Sequence, residues 1–411
     1  MKNKIYSFLV FFIGIFIALN YFSKEISAEE KAKIQKSDDV VVAANPKTPK
    51  FKMRIVFKEE LSIGLIEGDE NYMFSGEICF NTDGDGNFYV CDEGTLRIQK
   101  YSPEGKYLLT IGRRGLGPGE FRSLSVVRFD KDDNLYICDV TRRRIHFFSK
   151  EGEFLKQIKM PGPSENIYIN SKGLMVAEKY EEVLADNSVT MFTTIELLNE
   201  ELTPLAELYR IKREMPVRGR DLSSAVQSYA DMANLIVYQP QEILTLARND
   251  FIYFGYPEKY EINIFSPEGK LVKKITRDYE PLPVSKKDIK NFEEEISGEE
   301  GFNSAPEDLL KKFFQLIKYP KYKPAYQSFT LMENGWLALI VDSVKGEYTI
   351  FDLFDQEGRY IANFKTTIPV EGLFFKNGKA YAVATENDFK FVKRYNFEIQ
   401  EYKDIKWVRK K

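Results

Sequence analysis

Histidine is almost absent from this chain of 411 residues. The single histidine, His146, stands between Ile145 and Phe147 in an apolar run. Zinc sites built on imidazoles need several histidines, and a serine–histidine–carboxylate triad needs a histidine placed beside its nucleophile. The sequence therefore excludes multi-histidine zinc enzymes and offers no basis for a triad. We predict that His146 is a packed or half-exposed residue of a strand.

Cysteine is also scarce. The three cysteines Cys79, Cys91 and Cys138 show no metal-ligand spacing, and their odd number leaves at least one free thiol. Cys91 and Cys138 each precede an aspartate in two similar segments, which favours small core residues over a disulfide. No cysteine follows the apolar amino-terminal run, so the anchor of a bacterial lipoprotein is excluded.

An excess of positive charge is missing as well. Lys and Arg number 59 and Asp and Glu number 62, for a net charge of −3. A nucleic-acid-binding domain is expected to carry a marked basic excess. We therefore predict no nucleic-acid partner.

What the chain does contain is a repeated β-rich unit. Within residues 112–158, four short runs are rich in β-branched and aromatic side chains: 125–129, 135–138, 144–148 and 154–158. Polar turns at 130–134 and 149–152 join the first pair and the last pair, as in hairpins. The unit is therefore predicted to be a four-stranded antiparallel meander.

Related units recur along the chain. Asn87 lies 18 residues before Gly105, and Asn134 lies 18 residues before Gly152. Further copies follow around 249–270, 171–201, 333–358 and 377–397. Six four-stranded units can close into a ring, which removes exposed sheet edges. We predict an all-β fold, a six-bladed β-propeller of four-stranded antiparallel blades.

The second unit resembles an NHL repeat. Residues 112–121 (GRRGLGPGEF), 133–139 (DNLYICD) and 144–148 (RIHFF) are similar to its pattern G-x-G-x-G-E-F, D-x-x-G-N-L-Y-V-x-D and R-I-x-x-F, and the likeness is specific over residues 76–160. The whole chain resembles bacterial six-bladed β-propellers related to NHL proteins. This resemblance implies an architecture and a binding role, and it implies no particular chemistry.

The amino terminus differs from the rest. Lys2 and Lys4 precede fifteen uncharged residues, 5–19, so residues 1–22 are interpreted as a signal anchor or a cleaved signal peptide. Either alternative places the propeller in the cell envelope, outside the cytoplasm, with membrane contact only through this segment. Residues 23–50 are interpreted as a flexible linker, and 51–411 as the propeller. A strand within 51–66 is expected to complete the last blade.

Two insertions interrupt the repeats, at about 211–240 and 283–326. Helices are predicted over 223–236, 286–295 and 306–317, with Ser285 as a cap. Both insertions join the last strand of one unit to the first strand of the next. They therefore share one face with the blade connectors and the turns between second and third strands; we call it the connector face. The remaining turns form the opposite face.

Candidate binding residues on the connector face are five arginines, Arg113, Arg114, Arg122, Arg142 and Arg143. Guanidinium groups can bind carboxylates or phosphates in a bidentate manner; the alternative is a solvated rim paired with acidic neighbours. NHL propellers that bind single-stranded RNA use this face, but stacking also needs exposed aromatics. We predict a non-catalytic scaffold that recognises a protein, peptide or glycan.

One enzymatic alternative stays open, a calcium-dependent lactonase or esterase with its metal at the channel mouth. Its candidate ligands are residues near the starts of first strands, namely Glu77, Glu165, Glu242 and Glu371, with Gln327. No cofactor is expected otherwise. The run Asp83–Asn87 begins like a calcium loop, but Phe88 stands where such a loop needs glycine, which favours a hairpin turn. The resemblance to NHL repeats implies that Asp92 with Arg97 and Asp139 with Arg144 brace the turns between the middle strands.

Overall fold

The structure is a computed structural model that describes residues 33–401, apart from 38, 52, 163, 165, 186–187, 217–221, 299–301, 303–304, 345–346 and 370. The amino-terminal segment 1–22, residues 23–32 of the predicted linker and Glu165 lie outside the described residues. Within the described part, no helix is long and apolar enough to span a membrane.

Three strands precede the first blade: β1 (Lys33–Ser37), β2 (Val40–Asn45) and β3 (Met53–Ile63). Blade 1 contains β4 (Ile78–Thr82), β5 (Phe88–Asp92), β6 (Arg97–Tyr101) and β7 (Tyr107–Ile111). A short pair follows, β8 (Arg113–Arg114) and β9 (Glu120–Phe121). Blade 2 contains β10 (Val127–Phe129), β11 (Leu135–Asp139), β12 (Arg144–Phe148) and β13 (Phe154–Lys159). Blade 3 contains β14 (Tyr168–Ile169), β15 (Met175–Ala185), β16 (Ser188–Leu198) and β17 (Pro204–Pro216).

The first insertion carries α1 (Leu222–Ala233). Blade 4 contains β18 (Ile243–Leu246), β19 (Ile252–Gly255), β20 (Glu261–Phe265) and β21 (Leu271–Arg277). The second insertion carries α2 (Lys286–Gly298) and α3 (Glu307–Leu316). Blade 5 contains β22 (Ser328–Leu331), β23 (Leu337–Val344), β24 (Tyr348–Phe354) and β25 (Tyr360–Thr366). Blade 6 contains β26 (Glu371–Lys376), β27 (Lys379–Glu386) and β28 (Phe389–Glu401), together with β3.

The predicted six-bladed β-propeller is confirmed. Each blade is a sheet whose four strands lie in the order of a meander, and an apolar cluster packs at each boundary between neighbouring blades. At the boundary of blades 1 and 2, Phe121 and Leu135 are fully buried. Gly112 approaches Phe121 so closely, at a φ of 68°, that a Cβ there would lie 2.1 Å from the ring. The glycine of the connector is therefore a packing requirement.

The ring closes between the two ends of the chain, as expected. β3 pairs antiparallel with β28 from Met53↔Glu401 to Ile63↔Val392, so β3 is the outermost strand of the last blade. Ile63 then packs with Phe80 of blade 1 and Tyr381 of blade 6. Closure thus buries apolar surface as well as pairing a sheet edge.

The linker interpretation is wrong for residues 33–45. β1 and β2 form a hairpin, and β2 pairs parallel with the outermost strand of blade 4, β21. The Asn45 side chain donates to the carbonyl oxygens of Thr276 (3.0 Å) and Gly358 (2.8 Å) and accepts from the Tyr360 amide (2.7 Å). The run of three valines at 40–42 is too short to indicate a strand by periodicity, but valine has the β propensity that an edge strand needs.

The insertions differ from the prediction in one boundary. β17 continues to Pro216, so the first insertion begins after that residue instead of at 211. The three helices are confirmed. Ser285 and Asp288 form a capping box at the start of α2, since the Asp288 amide donates to Ser285 Oγ (3.1 Å) and the Ser285 amide to the Asp288 carboxylate (2.8 Å).

Candidate functional site on the connector face

Contacts between connectors and turns define the connector face. The Met160 amide, which follows β13, donates to the Arg143 carbonyl in the turn between β11 and β12 (3.0 Å). The Arg114 guanidinium donates to the Gly94 carbonyl in the turn between β5 and β6 (3.3 Å). The five predicted arginines therefore lie on one face, at blades 1 and 2.

The arginines are not equivalent. Arg113 forms an ion pair with Glu120 (2.8 Å), as in the rim alternative, whereas Arg122 and Arg143 are exposed and have no acidic partner within the described chain. Arg142 is half-buried, and its Nη1 atom is buried without a hydrogen-bond partner. The guanidinium groups of Arg122 and Arg143 are free to meet an anionic group.

The two aspartates at the ends of second strands brace this face, as predicted, but within the described residues no ion pair joins Asp139 to Arg144. Asp92 accepts from the amides of Ser75, Gly94 and Thr95 at 3.1–3.3 Å. Asp139 accepts from the Arg122 amide (2.8 Å), Ser123 Oγ (3.0 Å) and the Arg142 amide (3.1 Å). Arg97 lies 3.9 Å from Asp92, a looser contact than the amide hydrogen bonds. These carboxylates hold each incoming connector on its blade.

Blade 3 has a counterpart of these aspartates that was not predicted from the sequence. Glu178 accepts from Ser164 Oγ (2.5 Å), Asn166 Nδ2 (2.8 Å) and Tyr180 Oη (2.7 Å). Burial raises the pKa of the Glu178 carboxyl, and the nearby Glu242 raises it further. A signal existed, because Glu178 follows Gly173 by five residues, as Asp92 follows Asn87 and Asp139 follows Asn134.

His146 is fully buried, which confirms that it is a packed residue. Its ring lies edge-on to Phe121, with centroids 5.3 Å apart, and neither nitrogen has a hydrogen-bond partner among the described residues. Burial lowers the pKa of the imidazole. Cys91 and Cys138 are also buried, as expected for small core residues.

The glutamates of the calcium alternative meet cations in the structure. Lys390 Nζ lies 2.8 Å from Glu77 and 2.9 Å from Glu371, and Arg213 forms an ion pair with Glu242. Gln327 accepts from Ser343 Oγ (2.6 Å). In the described part of the chain, no group of three or more His, Cys, Asp or Glu side chains is placed to hold a metal ion.

A buried lysine fixes the second insertion to the blades. Lys323 Nζ lies 2.8 Å from Asp288 of α2 and 2.9 Å from Asp342 of blade 5, and the Tyr348 hydroxyl donates to Asp342 (2.9 Å). Although burial opposes its charge, the two carboxylates raise the pKa of Lys323. The helical cover of the connector face is therefore held in a fixed position.

Exposed apolar side chains are concentrated on this face. Within the described residues, those on the connector face are Leu65, Ile66, Leu116, Tyr180, Val183, Leu184, Tyr229, Met232, Ile236, Leu282, Tyr322 and Phe389. The others, Val56, Leu108, Leu155 and Leu205, belong to outermost strands. No large apolar side chain of comparable exposure lies in the described turns of the opposite face.

Helix α1 shows how this exposure arises. Its Ala230 packs with Phe313 and Ile317 of the second insertion, which buries one side of the helix. Tyr229 and Met232, three residues apart, share another side of the helix and are 63% and 53% exposed. α1 therefore presents an apolar stripe that no described part of the chain covers.

Comparison with known proteins supports the architecture. Residues 76–174, less than half of the chain, match a family model described as a 6-bladed beta-propeller, DUF5128. No curated protein matches the chain at a significant level.

Two solved structures share the fold at low sequence identity. A Bacteroides fragilis protein described as exported is 10% identical, with a TM-score of 0.51, over 88% of this chain and 100% of that one. A member of the duf4221 family from Bacteroides vulgatus is 10% identical, with a TM-score of 0.51, over 86% and 100%. The chain is thus a six-bladed β-propeller similar in fold to these bacterial proteins.

Proposed function

We propose that this propeller is a non-catalytic binding module that captures a protein partner on its connector face. The observation that carries the proposal is the distribution of exposed apolar side chains, which favours this face over the opposite one. A concentration of exposed apolar side chains on one face of a domain is typical of interaction surfaces. The proposed function requires no cofactor.

The partner is proposed to present carboxylates to blades 1 and 2. Arg122 and Arg143 are exposed there and have no ion-pair partner among the described residues. Arginine is the residue best suited to bidentate recognition of carboxylates. Peptide and glycan partners are the other outcomes that a search for the partner would distinguish.

The proposed location is the cell envelope. The similar structure from Bacteroides fragilis is described as an exported protein. In this chain, residues 1–22 have the charged start and uncharged run of a signal anchor or signal peptide. We also propose that the chain is related to NHL propellers, on the pattern in residues 112–148.

The test is site-specific photocrosslinking in cells that produce the protein. A photoreactive amino acid replaces Leu116, Tyr229 or Ile236 on the connector face, and Leu108 or Lys131 as controls on the rim and the opposite face. We expect one common adduct from the connector-face positions and none from the controls. Adducts from the control positions alone, or none anywhere, would refute the proposal.

A charge-reversal pair tests the arginines. Arg122→Glu with Arg143→Glu should abolish the Leu116 adduct and leave thermal stability unchanged, because both side chains are exposed and unpaired. Lys131→Glu on the opposite face is the matched control and should leave the adduct intact. Undiminished crosslinking in the double variant would remove the arginines from the binding surface.

A further inference from the structure

The middle hairpin of blade 3 rises above the connector face. β15 and β16 have eleven residues each, whereas β5 and β6 of blade 1 have five. The first strand of the blade, β14, has two residues and pairs only with Met175 and Val176. The inner edge of β15 beyond Val176 therefore has no strand beside it.

Only the lower part of this edge is covered. The connector from blade 2 contacts Glu178, through Ser164 and Asn166, and a Cβ on Gly162 would lie 3.0 Å from the Glu178 carbonyl oxygen. Within the described residues, no backbone hydrogen bond from another segment reaches the inner edge of β15 from Glu181 to Ala185. The backbone amides and carbonyls of these residues that face away from β16 are left to solvent.

Blade 5 provides an internal comparison, because its second strand also extends past the first. There the end of the insertion contacts the strand: the Gln327 amide donates to the carbonyl of Ile340, where the pairing with β22 ends (2.7 Å), and the Lys323 side chain binds the Asp342 side chain. In blade 3, no described residue makes such a contact with the inner edge beyond Glu178. The overhang of β23 past Ile340 is also shorter than that of β15 past Val176.

The side chains of the free edge suit a protein ligand. Val183 and Leu184 point to opposite faces of the strand and are 54% and 75% exposed. Exposed edges are normally protected by lysine, proline or a bulge. Here Glu181 is paired with Lys179 (2.9 Å) and Arg210 (3.1 Å), so among the described residues 180–185 the exposed, unpaired charge is Glu182.

We propose that residues 180–185 of β15 capture an extended segment of the partner protein as an added strand of blade 3. The proposal rests on the proposed function, since it names how the partner binds the connector face. Backbone pairing supplies affinity, and alternating side chains supply specificity. The captured segment places apolar side chains against Val183 and Leu184 and a lysine or arginine opposite Glu182, where an opposite charge is favourable.

The probe is a phage-displayed library of random linear decapeptides, selected on the full-length protein. We expect enriched sequences that alternate apolar residues with lysine or arginine, and peptide binding that slows amide exchange at 180–185. Leu184→Asp and Glu182→Lys should each weaken the binding of these peptides at least tenfold. Leu205→Asp, an exposed position at the far end of the same blade, is the matched control and should not change it.

A second variant removes the edge itself. The paired residues 181–192 are replaced by an Asn-Gly turn, which shortens the hairpin towards the length found in blade 1. Binding of the selected peptides should disappear while the rest of the propeller keeps its amide protection. If trimming misfolds the blade, the Leu184→Asp and Glu182→Lys variants still decide the result.

The outcomes separate this inference from the proposed function. If no peptide is enriched, or if selected peptides bind the trimmed hairpin equally well, strand capture is wrong, while crosslinks from Tyr229 and Leu116 would still support the binding face. If the free protein self-associates through protected residues 180–185, a second copy occupies the edge and the inference is overturned. If the crosslinks are absent, the binding face itself fails.

Discussion

At the scale of single residues, acidic side chains organise the connector face without lying at its surface. Asp92, Asp139 and Glu178 are fully buried or nearly so. The two aspartates each accept three hydrogen bonds from a connector and a turn, and Glu178 accepts two from a connector and one from Tyr180 of its own strand. A buried carboxylate is tolerated only when donors satisfy it. The three residues thus hold the connectors in a fixed position on the second strands of blades 1, 2 and 3.

Removing one brace should destabilise the protein measurably. Asp139→Ala leaves the Arg122 and Arg142 amides and Ser123 Oγ without their acceptor, so the free energy of unfolding should fall by about 1–3 kcal/mol. Chemical denaturation measures the change. Asp132→Ala, whose carboxylate is exposed and contacts only Lys131, is the control and should be near neutral. Equal losses in both variants would contradict the bracing role.

His146 predicts a pH dependence of stability. Burial lowers its pKa in the folded protein below the unfolded value of about 6.5. The unfolded chain therefore binds more protons at low pH, so the stability is fully present above about pH 6.5 and is lost as the pH falls towards the folded pKa. His146→Leu should remove this part of the dependence. Denaturation of both proteins between pH 5 and 8 tests it, and parallel curves would refute it.

At the scale of elements, the repeated blades could be predicted because their turns carry a fixed pattern. Hairpin turns require residues that tolerate turn conformations, and Asn87, Asn134 and the turn glycines meet that requirement. The alternation of apolar residues indicates the strands. β1 and β2 could not be found in this way, because they belong to no repeat. Their pairing depends on blade 4, which is distant in sequence.

For the connector face too, the features that follow from the repeat could be predicted and the others could not. The arginines could be assigned to the connector face because a meander dictates which turns share an end of the blade. The height of the blade 3 hairpin could not be predicted, since Glu181 and Glu182 interrupt the apolar alternation there. The ion pair of Lys323 with Asp288 and Asp342 joins residues that have no local pattern.

The hairpin formed by β1 and β2 should hold blades 4 and 5 together. Asn45→Ala removes hydrogen bonds to Thr276, Gly358 and Tyr360 in a buried position, and we expect a loss of about 1–3 kcal/mol in the free energy of unfolding. Amide exchange should rise first in β2 and at the edge of β21. Lys47→Ala, which removes an exposed ion pair with Glu280, should have little effect. Unchanged amide exchange in β2 of the Asn45→Ala variant would show that other contacts hold this hairpin in place.

The second insertion offers a test of its own. Lys323→Met leaves the carboxylates of Asp288 and Asp342 without their shared cation, and unpairing a buried charge costs about 3–5 kcal/mol. We expect local opening of residues 283–326 before global unfolding, detected as faster proteolytic cleavage within α2 and α3. Lys290→Met, whose ion pair with Glu294 is exposed, is the control. Cleavage at the control rate would show that the helices dock without this ion pair.

At the scale of the whole molecule, the ring presents two different faces on one rigid frame. The opposite face consists of short polar turns, whereas the connector face carries the insertions, the raised hairpin, the unpaired arginines and most of the exposed apolar side chains. Loops on a rigid scaffold are a common arrangement for binding. The central claim is therefore that the connector face is covered by a partner in the cell.

Hydroxyl-radical footprinting of the full-length protein, in intact cells and after purification, tests this claim most directly. We expect Leu116, Leu184, Tyr229 and Met232 to be protected in cells relative to the purified protein, while Leu108 and Leu155 on the rim react equally in both. Equal reactivity on the connector face in both samples, or protection confined to the rim, would contradict the account.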